Sequence, residues 1–338
     1  MVTEKRSTKF GAALIIFAVI LRLIMGITNP VLGVFQQTQP QPTNPGGLPR
    51  ETMGGLHPAP TTVPTSPPTT QVPVEPTVPQ LPQSWVFSAA DMAYVRVQYA
   101  ADCGYRPHLE KLLLQALSWD LTGEAPKVLI LHTHASESYT RQPGEIYTES
   151  AAYRTLDENY NMVAVGDYLA QLLKQAGIAV IHDRQLHDYP SYNQSYNNSR
   201  EAVRQYLNQY PSIQVVLDLH RDAAENPDGS QYATACYVDG QRVAQLMLVV
   251  GTNASGNYHP AWQDNLAAAV KLQALLEQLA PGITRQTILR AQRFNHDLSA
   301  GAMIVEVGTA GNSQAEAMGA IPFLAQAITQ LMHGAIAE

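Results

Sequence analysis

From Lys127 onward, apolar runs of strand type alternate with amphipathic stretches of helical period, and few architectures accept that pattern. KVLILHTH reads as a buried strand, and NYNMVAVGDYLAQLLKQAG as an amphipathic helix stopped by Gly177. IAVIHD follows as a strand, SREAVRQYLNQY as a helix capped by Ser199, and IQVVLDLH as a further strand. ACYVDG and QLMLVVGT read as strands, DNLAAAVKLQALLEQL as a helix, AMIVEVGT as a strand, and Gln314 to Met332 as a closing helix. Strands that alternate with helices predict an α/β domain over 127–338, its mainly parallel sheet covered by helices. Residues 85–126 form an N-terminal extension of the folded part, with a helix expected in LEKLLLQAL.

The rest of the chain is of a different kind. Lys5, Arg6 and Lys9 precede FGAALIIFAVILRLIMG, and an apolar stretch of roughly 20 residues suffices to span a bilayer. Basic residues before the span predict a cytoplasmic N-terminus and an exported remainder, so residues 1–35 read as a cytoplasmic tail and single transmembrane anchor. Residues 36–84 are rich in proline and threonine and nearly free of aromatics, a composition that cannot bury enough apolar surface to offset the entropy of folding. A disordered, extended linker is expected there, with an upper reach of about 150 Å at the polyproline rise. That points to work done outside the membrane and away from it. A formal net charge of −7 gives no footprint for nucleic acid. Cys103 and Cys236 form no C-x-x-C pair and read as two free, half-buried thiols.

In open α/β sheets, sites form outside the carboxyl ends of the strands. Three strands here carry ionisable residues at that end. HTHASES brings His132, His134 and Glu137; LDLHRDA brings Asp218, His220, Arg221 and Asp222; IVEVGT brings Glu306. Two histidines and a glutamate are a known zinc set that leaves a fourth position open. His134 and Glu137 form H-x-x-E just past a strand, and His220 supplies the third ligand. By the two-residue strand period His132 shares a face with His134, as an alternative ligand, a partner behind the ligands or a substrate contact. Glu306 sits among Ile304, Val305 and Val307, where an isolated carboxylate is costly. Beside a metal-activated water it would act as general base and then acid in amide hydrolysis. Arg221, Arg200, Asn295 and His296 are candidates for substrate contacts. His182 reads as structural, and the tyrosines of HDYPSYNQSYNNSR can line a groove or simply decorate a surface loop.

HTHASESY, NMVAVGDYLAQLL, HDYPSYNQSYNNSR, VVLDLHRDA, VVGT and GAMIVEVGTAGN together resemble the stage II sporulation protein P family. The resemblance covers about 200 residues, from Lys127 to the C-terminus. It implies a zinc-dependent N-acetylmuramoyl-L-alanine amidase with the phosphorylase/hydrolase-like fold shared with zinc carboxypeptidases. It implies peptidoglycan as substrate, cut between the glycan's lactyl group and the stem peptide, with endopeptidase cutting of cross-links besides. It further implies action in septal wall thinning and engulfment with stage II sporulation proteins D and M, from a single-pass anchor with the catalytic domain outside the cytoplasm, at the sporulation septum. One HTH histidine and His220 would hold Zn2+, and Glu306 would be the catalytic glutamate. The glutamate ligand is Glu137 by the H-x-x-E spacing, or Glu158 by the wider amidase pattern. The family carries Gln where this chain has His296. The alternative from another class is a catalytically silent wall-binding scaffold that activates partner hydrolases.

Overall fold

The computed structural model describes residues 78–79 and 85–336. The expected anchor over 1–35 and, but for residues 78–79, the expected linker over 36–84 lie outside the described residues. Among the described residues no helix is long and apolar enough to cross a membrane.

Eleven strands are found among the described residues: β1 (Val97–Tyr99), β2 (Val128–Leu131), β3 (Glu149–Ala151), β4 (Arg154–Thr155), β5 (Val180–His182), β6 (Val215–Asp222), β7 (Ala235–Val238), β8 (Gln241–Ala244), β9 (Leu246–Gly251), β10 (Thr287–Arg290) and β11 (Gly301–Thr309). Five α-helices accompany them: α1 (Leu109–Leu114), α2 (Met162–Gln175), α3 (Ser195–Gln209), α4 (Trp262–Leu279) and α5 (Gln314–Ile336). Seven strands form one sheet in the order β1-β10-β9-β11-β6-β2-β5. Neighbours run parallel throughout except where β11 meets β9 antiparallel. The sheet is therefore two parallel blocks joined back to back, and β6 lies inside the larger block between β11 and β2. β3 with β4, and β7 with β8, are separate two-stranded ribbons.

The elements of the alternating pattern form where it puts them, with informative shifts. Asn161 caps α2, its side chain accepting from the Val163 amide at 3.0 Å, and Gly177 leaves the helix end at φ +83°. Its buried Leu169 and Leu173 are each worth about 1.5–3 kcal/mol of transfer from water. α3 begins at Ser195, four residues before the expected cap, so Ser199 is a buried residue inside the helix. Its hydroxyl is taken by Thr133, which donates to it at 2.9 Å. α1 stops after six residues because Gln115 turns extended at ψ 143°. β1 and β10 are too short to show a period; the extension 85–126 thus supplies an edge strand, β1, parallel to β10.

Strand alternation divides the core. Val128, Ile130, Leu217, Leu219, Met303 and Val305 face the larger core, which also holds the inner sides of α1, α2, α4 and α5. Leu129, Leu131, Val216 and Ala302 face the smaller one, under Val203 of α3. Asp218 and His220 continue the series of Val216 by the period of two, and Glu306 that of Ala302. The polar residues thus fall on the α3 face.

His132 does not share that face with His134. β2 ends at Leu131 and Thr133–Ser136 form a turn, so the two-residue period stops before His134. His132 stays on the side of Ile130, buried against α2. Its Nδ1 lies 3.1 Å from the Leu219 carbonyl and its Nε2 2.8 Å from His182 Nε2. Gly166 of α2 makes room for this pair: a Cβ there would come within 2.4 Å of His182 Nε2 and 2.5 Å of His132 Nε2. Gly166→Ala, ordinarily favourable inside a helix, is therefore expected to destabilise the domain by about 1–3 kcal/mol through overpacking. Urea unfolding of the two proteins measures the difference.

Candidate metal centre

β6 and β11 set the frame. In their parallel register Glu306 lies beside His220, and Ile304 beside Asp218. β2 brings Leu131 beside Asp218 on the other side. The turn after β2 then lays HTHASE across the strand ends, closed by the Glu137 amide donating to the His134 carbonyl at 3.1 Å. The Ser136 hydroxyl donates to Asp188 at 2.5 Å, which fixes the turn against the loop before α3.

His134, Glu137 and His220 are buried side by side. The rings of His134 and His220 stand at 90° with centroids 5.3 Å apart, and His220 Nδ1 is 3.7 Å from Glu137 Oε2. The Nε2 of His220 lies 2.9 Å from Asp218 Oδ1. That contact is off the ring's N–H axis, since the same nitrogen makes no aligned hydrogen bond. Asp218 also accepts from the Thr133 amide at 2.7 Å and the Thr133 hydroxyl at 2.6 Å. His134 Nδ1 is buried without a hydrogen-bond partner, and so is Glu306 Oε2.

The charges follow from burial and neighbours. Burial lowers the His134 imidazole to about 3, with His220 adding to the effect. Burial also works to lower His220, but the carboxylates of Asp218, Glu137 and Glu306 outweigh it and raise the group to about 10. Burial works to raise Asp218, yet His220 and the Thr133 hydrogen bonds hold it well below the usual carboxylate range. Glu306 is pushed by burial to about 8; Asp222 and Glu137 add to the rise, while His220 and Arg221 oppose it. The metal-free site thus pairs an imidazolium with Asp218 and holds Glu306 protonated at neutral pH.

Two imidazoles and a carboxylate suit zinc. The unpartnered His134 Nδ1 and the His220 Nδ1 beside Glu137 are donors of the right kind on neighbouring rings. As placed, the set is open: among the described residues, no group of three or more His, Cys, Asp or Glu side chains is drawn together closely enough to hold an ion. Glu158, the other glutamate expected as a ligand, is exposed and ion-paired with Arg184 on the loop before α2. His132 has both ring nitrogens engaged and stands on the other face.

The residues expected as substrate contacts also make bonds within the fold. Arg221 is buried and donates to the Ser138 carbonyl and the Tyr153 carbonyl, each at 2.9 Å, so it ties the loops together. Arg200 grips Asp297 with two bonds of 2.8 and 2.7 Å. Asn295, left-handed at φ +63°, accepts from Arg200 at 3.2 Å and donates to the Tyr196 carbonyl at 2.9 Å. His296 accepts from the Gly251 amide at 3.0 Å, while its Nε2 is buried and unpartnered. His296 and Asn295 line a small internal cavity with Thr133, Asp218 and Phe294.

Other residues at the site carried little or no signal. Tyr192 stacks on His134 with centroids 4.4 Å apart at 14°, and Tyr196 meets the same ring edge-on at 5.6 Å. Both belong to the tyrosine-rich stretch that the sequence left open between groove and surface, Tyr192 just before α3 and Tyr196 in its first turn. Arg154 reaches Glu137 at 3.7 Å from β4, and no local pattern marks it. The two cysteines are free, as expected.

A buried carboxylate, two histidines and a glutamate thus lie at the strand ends of a mixed α/β sheet. The stage II sporulation protein P family matches residues 80–329, and the chain belongs to it. Stage II sporulation protein P of Bacillus subtilis (strain 168) is 27% identical over 207 residues, which cover 58% of this chain and 48% of that protein. The chain thus spans about half the length of the curated relative it matches. Among solved structures, the apo form of the N-acetylmuramyl-L-alanine amidase Ami1 from Mycobacterium abscessus is 15% identical, with a TM-score of 0.38 over 63% of this chain and 100% of that one. The CwlD amidase from Clostridioides difficile, solved with the GerS lipoprotein, is 15% identical, with a TM-score of 0.35 over 62% of this chain and 96% of that one. At such scores the likeness is no guide to the site.

The raised Glu306 has a consequence for the metal-free protein. Its carboxyl holds a proton in the folded state up to about 8, against an ordinary 4.5. Folding therefore binds a proton between those values, and stability falls as pH rises through them. Glu306→Gln is expected to flatten that decline, measured as melting temperature in chelator from pH 5 to 8. Equal slopes in the two proteins would contradict the assignment.

Proposed function

We propose that this chain is a zinc-dependent N-acetylmuramoyl-L-alanine amidase of peptidoglycan, acting in sporulation. The observation that carries the reading is that His220 lies beside His134, beside Glu137 and, across the β6–β11 register, beside Glu306 with its unpartnered buried oxygen. Membership in the family supports the setting. A buried carboxylate without a partner is expensive in a protein that only binds, which weighs against the silent scaffold.

His134, Glu137 and His220 would hold the ion, and when bound it would acidify water and polarise an amide carbonyl. Positive charge in the cluster draws the Glu306 carboxyl back toward its ordinary range. Ionised, Glu306 takes a proton from the attacking water and hands it to the leaving amide nitrogen. Asp218, anchored on Thr133, keeps the Nε2 side of His220 engaged, so that Nδ1 is the nitrogen presented to Glu137. His134 is steadied by Tyr192 and Tyr196 on two sides. The same reading takes in cutting within cross-links, a septal location reached from the N-terminal anchor, and action beside stage II sporulation proteins D and M.

Digestion of purified peptidoglycan with zinc, with the products identified by mass spectrometry, tests it. The parent protein is expected to release free stem peptides and leave denuded glycan. Glu306→Gln should be slower by about 10²–10⁴-fold, the usual worth of a general acid–base group, while still binding zinc and wall. His134→Ala and His220→Ala should fall short of one zinc per chain. A folded, zinc-loaded parent that binds wall and releases nothing would favour the scaffold.

A further inference from the structure

Arg154 stands in an unusual place for a cation. An antiparallel bridge pairs it with Glu137 across the site's entrance, so their side chains are neighbours. The residue before it, Tyr153, is a non-glycine in the left-handed region at φ +52°, held there by two bonds to its carbonyl of 2.9 Å each, from the Ser138 amide and from Arg221. The guanidinium meets Glu137 at 3.7 Å, and its Cζ lies 4.1 Å from the centroid of the Tyr192 ring. Tyr192 in turn stacks on His134. Arg154 thus connects to both residues of the H-x-x-E pair, directly to Glu137 and through Tyr192 to His134.

The Arg154–Glu137 contact is loose compared with the protein's other arginine–carboxylate pairs. Arg200 meets Asp297 at 2.7 Å and Arg285 meets Asp222 at 2.6 Å, whereas Arg154 reaches Glu137 through one contact of 3.7 Å. Guanidinium is charged at every working pH and has no acceptor. It therefore shares the buried Glu137 carboxylate with the His220 ring, whose Nδ1 lies at the same 3.7 Å, and a dication taking that carboxylate has to displace it. Tyr192 gives the displaced guanidinium a cation–π partner, so it need not leave.

We propose that Arg154 is a placeholder for the metal's charge: its contact holds the Glu137 side chain in position before an ion arrives, and it sets zinc affinity below what the ligands alone would give. This rests on the zinc reading above. Arg154 is a positioning residue and touches neither substrate nor reacting atoms. An interaction that stabilises only the metal-free state weakens metal binding by its own size.

The test uses the full chain in detergent, as parent, Arg154→Met and Arg154→Lys. Zinc affinity is measured by competition with a chromophoric chelator, and melting temperature with zinc and with chelator. Arg154→Met is expected to bind zinc at least about tenfold more tightly, which is about 1.4 kcal/mol. It should melt lower than the parent in chelator but not with zinc. Arg154→Lys keeps the charge, and its affinity should stay within about threefold of the parent, a change of under about 1 kcal/mol. Arg154→Gln repeats the neutral arm should the methionine protein not fold. Unchanged or weaker binding in a neutral variant, with equal loss of melting temperature in both states, overturns the proposal and leaves Arg154 a structural residue. A folded parent that takes up no zinc would instead bring down the zinc reading, and this inference with it.

Discussion

The site depends on one buried carboxylate. Asp218, 6% exposed, lies inside β6 with β2 on one side and β11 on the other. A charge at that depth is tolerated only when its oxygens are met. The Thr133 amide and hydroxyl and the His220 ring meet them, and each does something for the site in doing so. The two Thr133 bonds end β2 and start the turn that carries His134 and Glu137. The His220 contact orients the third ligand. The Thr133 hydroxyl then reaches Ser199, which ties the strand ends to α3. Satisfying one desolvated charge thus assembles the candidate centre.

The sheet supplies the direction. β11 runs parallel to β6 on one edge and antiparallel to β9 on the other, and its register places Glu306 beside His220. Past Glu306 the register shifts before Thr309, with Gly308 at φ +69° between them. A Cβ at Gly308 would fall within 2.7 Å of Asn312 Oδ1, the oxygen to which the Thr309 amide donates at 2.9 Å. Glu306 is the last residue of β11 in register with β6 before this shift. Its neighbours on the strand are buried and apolar, so burial raises its pKa and opposing charges set how far.

Charge around the cluster is arranged in pairs that differ in tightness. Arg200–Asp297 and Arg285–Asp222 are short and hold loops. Arg221 spends its donors on carbonyls. Arg154–Glu137 is long, and its cation has an aromatic face to rest on. Short pairs keep the frame constant, and the long one leaves room for exchange.

The sequence by itself determined the α/β class, the strands that end in ionisable residues, and the candidate set of His134, Glu137, His220 and Glu306. Each of these is a local property: apolar period, residue type at a strand end, spacing within a turn. The tertiary structure alone decided which of His132 and His134 joins the set, because the end of a strand depends on which backbone groups find partners. It also separated Glu137 from Glu158, since only folding shows that Glu158 meets Arg184 at the surface. It moved the start of α3 to Ser195, gave Arg200, Asn295 and Arg221 partners within the fold, and brought Arg154 and Tyr192 to Glu137 and His134. Those are contacts between segments far apart in the chain, and no window of sequence contains both partners. Period and residue type act along the chain, whereas a salt bridge or a stacked ring exists only once the chain has closed on itself.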